Sequence, residues 1–187
     1  IPMDLIQELR RLQDDVSPFP VDNIRDLVEK ALERDFDEIY ESIESEPLAA
    51  ASIAQVHKGK IQVNDKKYDV AIKILRPNIE KEIKKDLRNF FVAANLFEKI
   101  SKEAKRLRLV DVVKTLAESL GMEIDLRLEA AAQSEIRENI INDNYFDVPD
   151  IYWDLTRKNI LVSDWVDAIP AKDINKLNEK GFNIKQI

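Results

Sequence analysis

Lys73 is the first residue whose type and setting could do chemistry, because it closes the run Val70-Ala71-Ile72-Lys73. Alternation on a strand places Val70, Ile72 and Ile74 on one face and Ala71, Lys73 and Leu75 on the other. A lysine among small and apolar neighbours can present a point charge to phosphate oxygens on its flexible stem. An exposed edge-strand lysine fits the same residues. Upstream, Pro47 to Gly59 holds Ala49, Ala50, Ala51 and Ser52 ahead of an alternating run. Small side chains let a ligand approach the backbone, and alanines resist positive φ where glycines accept it, so such a loop is stiff. A tightly packed strand entry explains the same composition. His57, the only histidine, reads on its strand as structural rather than as a base or ligand.

A third cluster is Glu123-Ile124-Asp125-Leu126-Arg127-Leu128-Glu129. Asp125 and Glu129, four apart, share a helical face that continues through Gln133 and Arg137. Glu123 lies about 200° from Asp125 on a regular helix. The two aim at one target only if the helix starts or distorts near Gly121. An ordinary i,i+4 pair between Glu123 and Arg127 is the alternative.

These residues need elements to position them. Leu5, Leu9 and Leu12, then Ile24, Leu27, Val28 and Leu32, have helical spacing on either side of the breaker Ser17-Pro18-Phe19-Pro20. A third, acidic helix is expected through Phe36, Ile39, Tyr40 and Ile43, ending before Pro47. From Ser52 the period changes to two, and the runs Ile53–Val63 and Tyr68–Leu75 flank the polar turn Asn64-Asp65-Lys66-Lys67, a hairpin signature. Residues 79 to 142 return to helical spacing, with Gly121 as a possible break. There Ile124, Leu128, Ala132, Ile136 and Ile140 form a four-residue stripe expected to contact the core. Residues 149–153 and 159–166 read as two further strands joined at Asp154–Lys158. The fold class is therefore α+β, a small antiparallel sheet packed by helices.

Composition narrows the function. The chain has 187 residues, 44% hydrophobic and 35% charged, with 29 Lys+Arg against 36 Asp+Glu for a net charge of −7. That suits a soluble acidic domain with one sizeable core and argues against a general nucleic-acid binder, whose affinity comes from neutralising phosphates. Absence of cysteine excludes disulfides, a thiol nucleophile and zinc-thiolate sites, and fits a reducing compartment. Only three glycines occur, so a glycine-rich phosphate loop is excluded. The best apolar run, Phe90 to Phe97, is far short of the roughly 20 residues that span a bilayer. The chain starts at Ile1 and ends on a helical-looking segment, and it reads as a piece of a longer protein.

Taken in order, the clusters resemble the UbiB family of atypical kinase-like proteins, also called aarF-domain-containing kinases. Pro47 to Gly59 resembles the family's alanine-rich loop and Val70 to Lys73 its strand lysine motif. Glu123-Ile124-Asp125 is similar to its E-x-D motif, and Glu129-Ala130 to the glutamate that pairs with the strand lysine. Leu12 to Val16 with Pro18-Phe19-Pro20 resembles the segment after the family's K-x-G-Q motif, which itself would precede Ile1. Ile160 to Val166 resembles the strand entering the adenine-binding hinge, although members commonly carry Glu and Gly where this chain has Asp164 and Ala168. Lys73 and Glu129 are 56 positions apart, far more than in ordinary protein kinases, and a long helical insertion of the UbiB type accounts for the gap.

The resemblance implies a protein-kinase-like N-terminal lobe at 47–187, with a helical extension at 1–46, an insertion near 79–142 and a hinge near 164–168. The second lobe would lie outside this chain. It implies ATP with magnesium as cofactors, the metal ligands being supplied by that other lobe and no metal site here. Lys73 would hold the α and β phosphates and Glu129 would orient it. Ala49, Ala50, Ala51 and Ser52 would cover the nucleotide, and backbone groups of Asp164, Trp165 and Val166 would meet adenine. Glu123 and Asp125 would engage the K-x-G-Q segment. The implied activity of the parent is an atypical kinase or ATPase supporting ubiquinone biosynthesis at the cytoplasmic face of a membrane. Implied partners are ubiquinone-biosynthesis enzymes and a lipid or quinone precursor. A non-enzymatic lipid- or protein-binding scaffold is the alternative.

Overall fold

A computed structural model describes residues 18–20, 22–63, 66–143, 145–171 and 173–183. The amphipathic segment through Leu5, Leu9 and Leu12, and the stretch from Leu12 to Val16, lie outside the described residues.

The expected hairpin is the centre of the sheet. Strand β3 (Ala54–Val63) pairs antiparallel with β4 (Lys66–Leu75) along its whole length, from Ala54 opposite Leu75 to Val63 opposite Lys66. Strand β5 (Ile160–Asp164) lines the far side of β4. On the outer edge of β3 sit two short strands, β1 (Tyr40–Ile43) and β2 (Ala49–Ala50). The order β1-β3-β4-β5 is antiparallel throughout. The α+β class and the small antiparallel sheet are as expected.

Helix α1 (Asp22–Leu32) lays Ile24, Val28 and Leu32 on one sheet face, against Ile61, Val70, Ile72, Ile74, Ile160 and Val162. Each such side chain stabilises the fold by roughly 1.5–3 kcal/mol through removal from water. Gly59 is required by this packing: a Cβ there would lie 2.5 Å from Ile72 Cδ1 and 3.1 Å from the Ser42 carbonyl. Gln55 and His57 also point to this face and are fully buried. The His57 Nδ1–H donates to the Glu44 carbonyl at 2.8 Å, and its Nε2 accepts from Gln55 Nε2 at 2.8 Å. Gln55 in turn accepts the Phe19 N–H (3.1 Å) and donates to the Phe19 carbonyl (3.3 Å), holding the Pro18–Pro20 segment on the sheet. The structural reading of His57 holds.

Four expectations are corrected. The acidic segment forms only one helical turn, α2 (Phe36–Ile39), capped by Asp35, and then becomes β1. The spacing of Phe36, Ile39, Tyr40 and Ile43 fits a helix, but β3 has an open edge whose amides and carbonyls need a partner. Gly121 does not break its helix. Helices α3 (Ile79–Ile100), α4 (Lys102–Leu107), α5 (Leu109–Glu123) and α6 (Leu126–Asn139) follow one another, and the break falls at Ile124-Asp125.

The stripe Ile124, Leu128, Ala132, Ile136, Ile140 is not a core face, since Leu128 and Ile136 are 51% and 53% exposed. Because α6 starts at Leu126, its inward face carries the buried Leu126 and Ala130 instead, against Ala54, Leu75, Ile124 and Leu161. Finally, 149–153 is not a strand. Ile151 makes a single bridge to Ser163, and Trp153–Leu155 is a 3₁₀ turn. Pro149 has no N–H to give a ladder. A last short helix, α7 (Ile174–Glu179), lies near the end of the described residues.

Candidate functional site

The sheet face opposite α1 is only partly covered, and Lys73 stands in the uncovered part. Register places Val56 of β3 and Leu161 of β5 on either side of it, with Lys58 and Ser163 flanking Ala71 one step further along. The Lys73 side chain is half-buried among these small and apolar neighbours. Its Nζ donates to both carboxylate oxygens of Glu129 on α6, at 2.8 and 2.6 Å. The two residues, far apart in sequence, meet because Leu126 and Ala130 seat α6 on the sheet.

The start of α6 is fixed locally. Asp125 is its N-cap, accepting the Arg127 N–H at 3.2 Å, while the Leu126 N–H donates to the Lys158 carbonyl at 2.9 Å. Arg127 also donates to the Asp125 carboxylate from Nε (2.9 Å) and Nη2 (2.6 Å), and these bonds hold the Asp125 carboxyl below the usual carboxylate range. Glu123 ends α5 and is exposed. The helix therefore does break between Glu123 and Asp125. Arg127 pairs with Asp125, so the alternative pair of Glu123 with Arg127 is not formed.

Ala49 and Ala50 form β2, and the Ala51 N–H donates to the Ala54 carbonyl at 2.8 Å, so the alanine-rich stretch is a tight hairpin with Ala51 and Ser52 exposed at its tip. Its stiffness has a further source that the spacing did not reveal. Arg76 Nε donates to the Ala51 carbonyl at 3.0 Å, and the Arg76 N–H donates to the Ile53 carbonyl at 2.8 Å. An arginine directly after the lysine strand, where the chain must turn back past the hairpin, is the only signal for it.

At the far end of β5, Asp164 pairs with Val70, so its side chain lies on the α1 face of the sheet while the next residue, Trp165, returns to the Lys73 side. The Asp164 carboxylate accepts the Tyr152 hydroxyl at 2.8 Å and the Asp150 N–H at 3.3 Å. Burial first, and the Asp164 carboxylate second, push the Tyr152 phenol above its ordinary value. The Trp165 N–H donates to the Asp69 carbonyl at 3.1 Å, and Lys58 Nζ lies 4.7 Å from the centre of the Trp165 ring. Val166 is exposed. Asp164 is three residues beyond Leu161, the neighbour of Lys73, so it stands about 10 Å along the strand from the lysine. Lys58 was missed in the sequence, although strand alternation puts it on the Lys73 face, opposite Ala71. Among the described residues no group of three or more acidic, histidine or cysteine side chains could hold a metal ion, and no helix is long and apolar enough to cross a membrane.

Comparison with known proteins gives the same frame. A family model described as the ABC1 atypical kinase-like domain matches residues 11–187. The chain is similar to proteins named "Probable protein kinase UbiB" from Marinobacter nauticus, 38% identical over 185 residues (99% of this chain, 33% of the relative), and from Cellvibrio japonicus, 36% identical over 187 residues (100% and 33%). It thus spans about a third of the length of these curated relatives. Among solved structures it is similar to one described as the complex structure of Rv3197-erythromycin from Mycobacterium tuberculosis, with a TM-score of 0.71 and 26% identity over 94% of this chain and 43% of that one. With the lysine-glutamate pair and the small antiparallel sheet in place, the chain belongs to the ABC1 atypical kinase-like family.

Proposed function

We propose that this chain is the nucleotide-holding lobe of an atypical kinase or ATPase that supports ubiquinone biosynthesis, comprising an N-lobe at 47–187 with its insertion near 79–142 and its hinge near 164–168. The observation that carries the reading is the two-oxygen grip of Glu129 on Lys73, set on a partly open face between a stiff alanine hairpin and the end of β5. A nucleotide suits this face. Lys73 offers an oriented ammonium for the α and β phosphates; the Ala49–Ser52 hairpin presents backbone over them with little side chain in the way; the backbone of Asp164 to Val166 lies a nucleoside's length away for adenine. When bound, ATP with magnesium supplies the γ-phosphoryl group for transfer or hydrolysis. The chain's own residues orient the phosphates and leave metal binding to residues outside this chain. Glu123 and Asp125, at the break where α6 begins, would engage a K-x-G-Q segment.

The test is nucleotide binding by the parent-length protein. Lys73→Ala should abolish binding of a fluorescent ATP analogue in the presence of magnesium. Retained affinity would sink the assignment.

A second reading, a lipid- or protein-binding scaffold working beside ubiquinone-biosynthesis enzymes at a membrane, is favoured by one feature. The end of α3 and the short α4 expose Leu96, Phe97, Ile100 and Leu107 and carry Lys99, Lys102, Lys105, Arg106 and Arg108, with Glu98 and Glu103 the only acids from 96 to 108. Cations around apolar side chains suit an anionic membrane surface or a lipid-like precursor. Co-sedimentation with anionic vesicles, by a parent protein lacking ATPase turnover, would favour this reading over the first.

A further inference from the structure

The helical face that carries Glu129 does not end there. Asp125, Glu129, Gln133 and Arg137 recur every fourth residue, and each engages a different part of the lobe. Asp125 caps the helix and Glu129 holds Lys73. Gln133 Nε2 donates to the Pro149 carbonyl at 2.9 Å. Arg137 makes the most elaborate set: Nη1 donates to the Val148 carbonyl at 2.6 Å, Nη2 donates to Asp150 Oδ2 at 2.8 Å, and Nε lies 2.6 Å from Asp150 Oδ1. A weaker bond runs from Nη1 to Asp147 at 3.3 Å.

Asp150 is in turn locked to the end of β5. Its N–H donates to Asp164 Oδ2 at 3.3 Å, and its carbonyl accepts the Asp164 N–H at 3.0 Å. One chain of contacts therefore runs from Glu129 along α6 to Arg137, then to Asp150, Asp164 and the segment that follows. A lone exposed ion pair contributes little, but a two-oxygen arginine-carboxylate contact with an added carbonyl bond fixes both distance and rotation. Nothing else polar on the C-terminal half of α6 reaches the sheet side among the described bonds except Gln133. Rotating α6 about its axis would move Glu129 off Lys73 and Arg137 off Asp150 together, because both lie on one rigid helix.

We propose that Arg137 is a positioning residue: through Asp150 and Asp164 it sets the rotation of α6, and so couples the segment after β5 to the Lys73–Glu129 pair. This rests on the nucleotide-site reading, in which a ligand touches both ends of that relay. Occupation of the Asp164–Val166 end then steadies the Lys73–Glu129 end, and the converse, by the same free energy. The role is mechanical and Arg137 itself touches no ligand.

The experiment has two arms. In the parent-length protein, affinity for a fluorescent ATP analogue with magnesium is measured in wild type, Arg137→Met, Glu129→Gln and the double variant. Arg137→Met should weaken binding about fivefold or more in the wild-type background and much less once Glu129 is gone, a coupling typical of residues acting through one another. Arg137→Lys, which keeps the charge but not the two-oxygen grip, should recover only part of the loss. An equal loss in both backgrounds would overturn the proposal and leave Arg137 as a structural residue. The second arm needs no nucleotide and uses the parent-length protein alone. Hydrogen exchange of the Asp164 amide should quicken several-fold in Arg137→Met, and should quicken in Glu129→Gln only while Arg137 is present. No response to Glu129→Gln would overturn the relay even if ATP binds; wild-type protein that fails to bind ATP would overturn the nucleotide reading while this arm still decides the relay.

Discussion

The Lys73–Glu129 pair should contribute little to stability and about tenfold or more to ligand binding. The side chains are 31% and 47% exposed, so water screens their attraction and competes for both charges. Pairs of this exposure contribute about 0–1 kcal/mol. Glu129→Gln preserves shape and length and leaves Lys73 enough solvent to remain hydrated. It should therefore cost less than about 1 kcal/mol, which for a chain of this size moves the unfolding midpoint by about 2–4 °C at most. If the ammonium is held for a ligand, the same change should weaken nucleotide binding by about tenfold or more, since an unpaired lysine samples many rotamers and the ligand must order it. Thermal unfolding of the 187-residue chain and nucleotide titration of the parent-length protein measure the two quantities separately. A loss of more than about 2 kcal/mol with unchanged affinity would refute the reasoning and make the pair a structural clamp.

Three further outcomes follow from the geometry. Asp125→Ala should cost about 0.5–2 kcal/mol as a lost N-cap. Because Arg127 holds the native Asp125 carboxyl below its unfolded value, that advantage is fully present above the ordinary carboxylate range and lost as pH falls through the lower native value. Urea unfolding of wild type and variant from neutral to acid pH should show the gap closing below about pH 4, and a constant gap would contradict the sign. Gly59→Ala should destabilise by about 1–3 kcal/mol, because the new methyl meets the fully buried Ile72; an unchanged denaturation midpoint would show that the core yields freely. Gln55→Ala should cost about 2–4 kcal/mol in the same assay, since it strands His57 Nε2 and both polar groups of Phe19; a loss under about 1 kcal/mol would mean that water replaces the amide.

Strong local patterns transferred directly to the structure. The alternation of Ile53–Val63 and Tyr68–Leu75 was enough to place Lys73 on the face opposite Val70, Ile72 and Ile74, and those three are fully buried. Where expectation and structure part, a long-range partner decides. Tyr40 to Ile43 would continue a helix if alone, but the open edge of β3 recruits them as a strand. Leu128 and Ile136 have the spacing of a buried stripe, yet α6 is rotated so that Leu126 and Ala130 meet the sheet. Neither outcome is written in neighbours three or four residues away. The same limit hid Lys58, Arg76 and Tyr152, whose partners Trp165, Ala51 and Asp164 lie on other elements.

The rotation of α6 ties its apparent packing failure to the candidate site. A regular helix turns 100° per residue, so a start displaced by one position would carry Glu129 about a quarter turn away from Lys73. The start is not free to slide. The chain breaks between Glu123 and Asp125, the Asp125 carboxylate takes the first amide it can reach, and the Leu126 N–H is tied to Lys158. With that phase set, Leu126, Glu129 and Ala130 face the sheet, while Leu128, about 160° from both Leu126 and Ala130, faces away. Asp125 therefore acts on Lys73 indirectly, by fixing the helical register that delivers Glu129. Apolar exposure along the other side of α6 follows from the same phase, since one helix cannot turn both the Glu129 face and the Leu128 face inward.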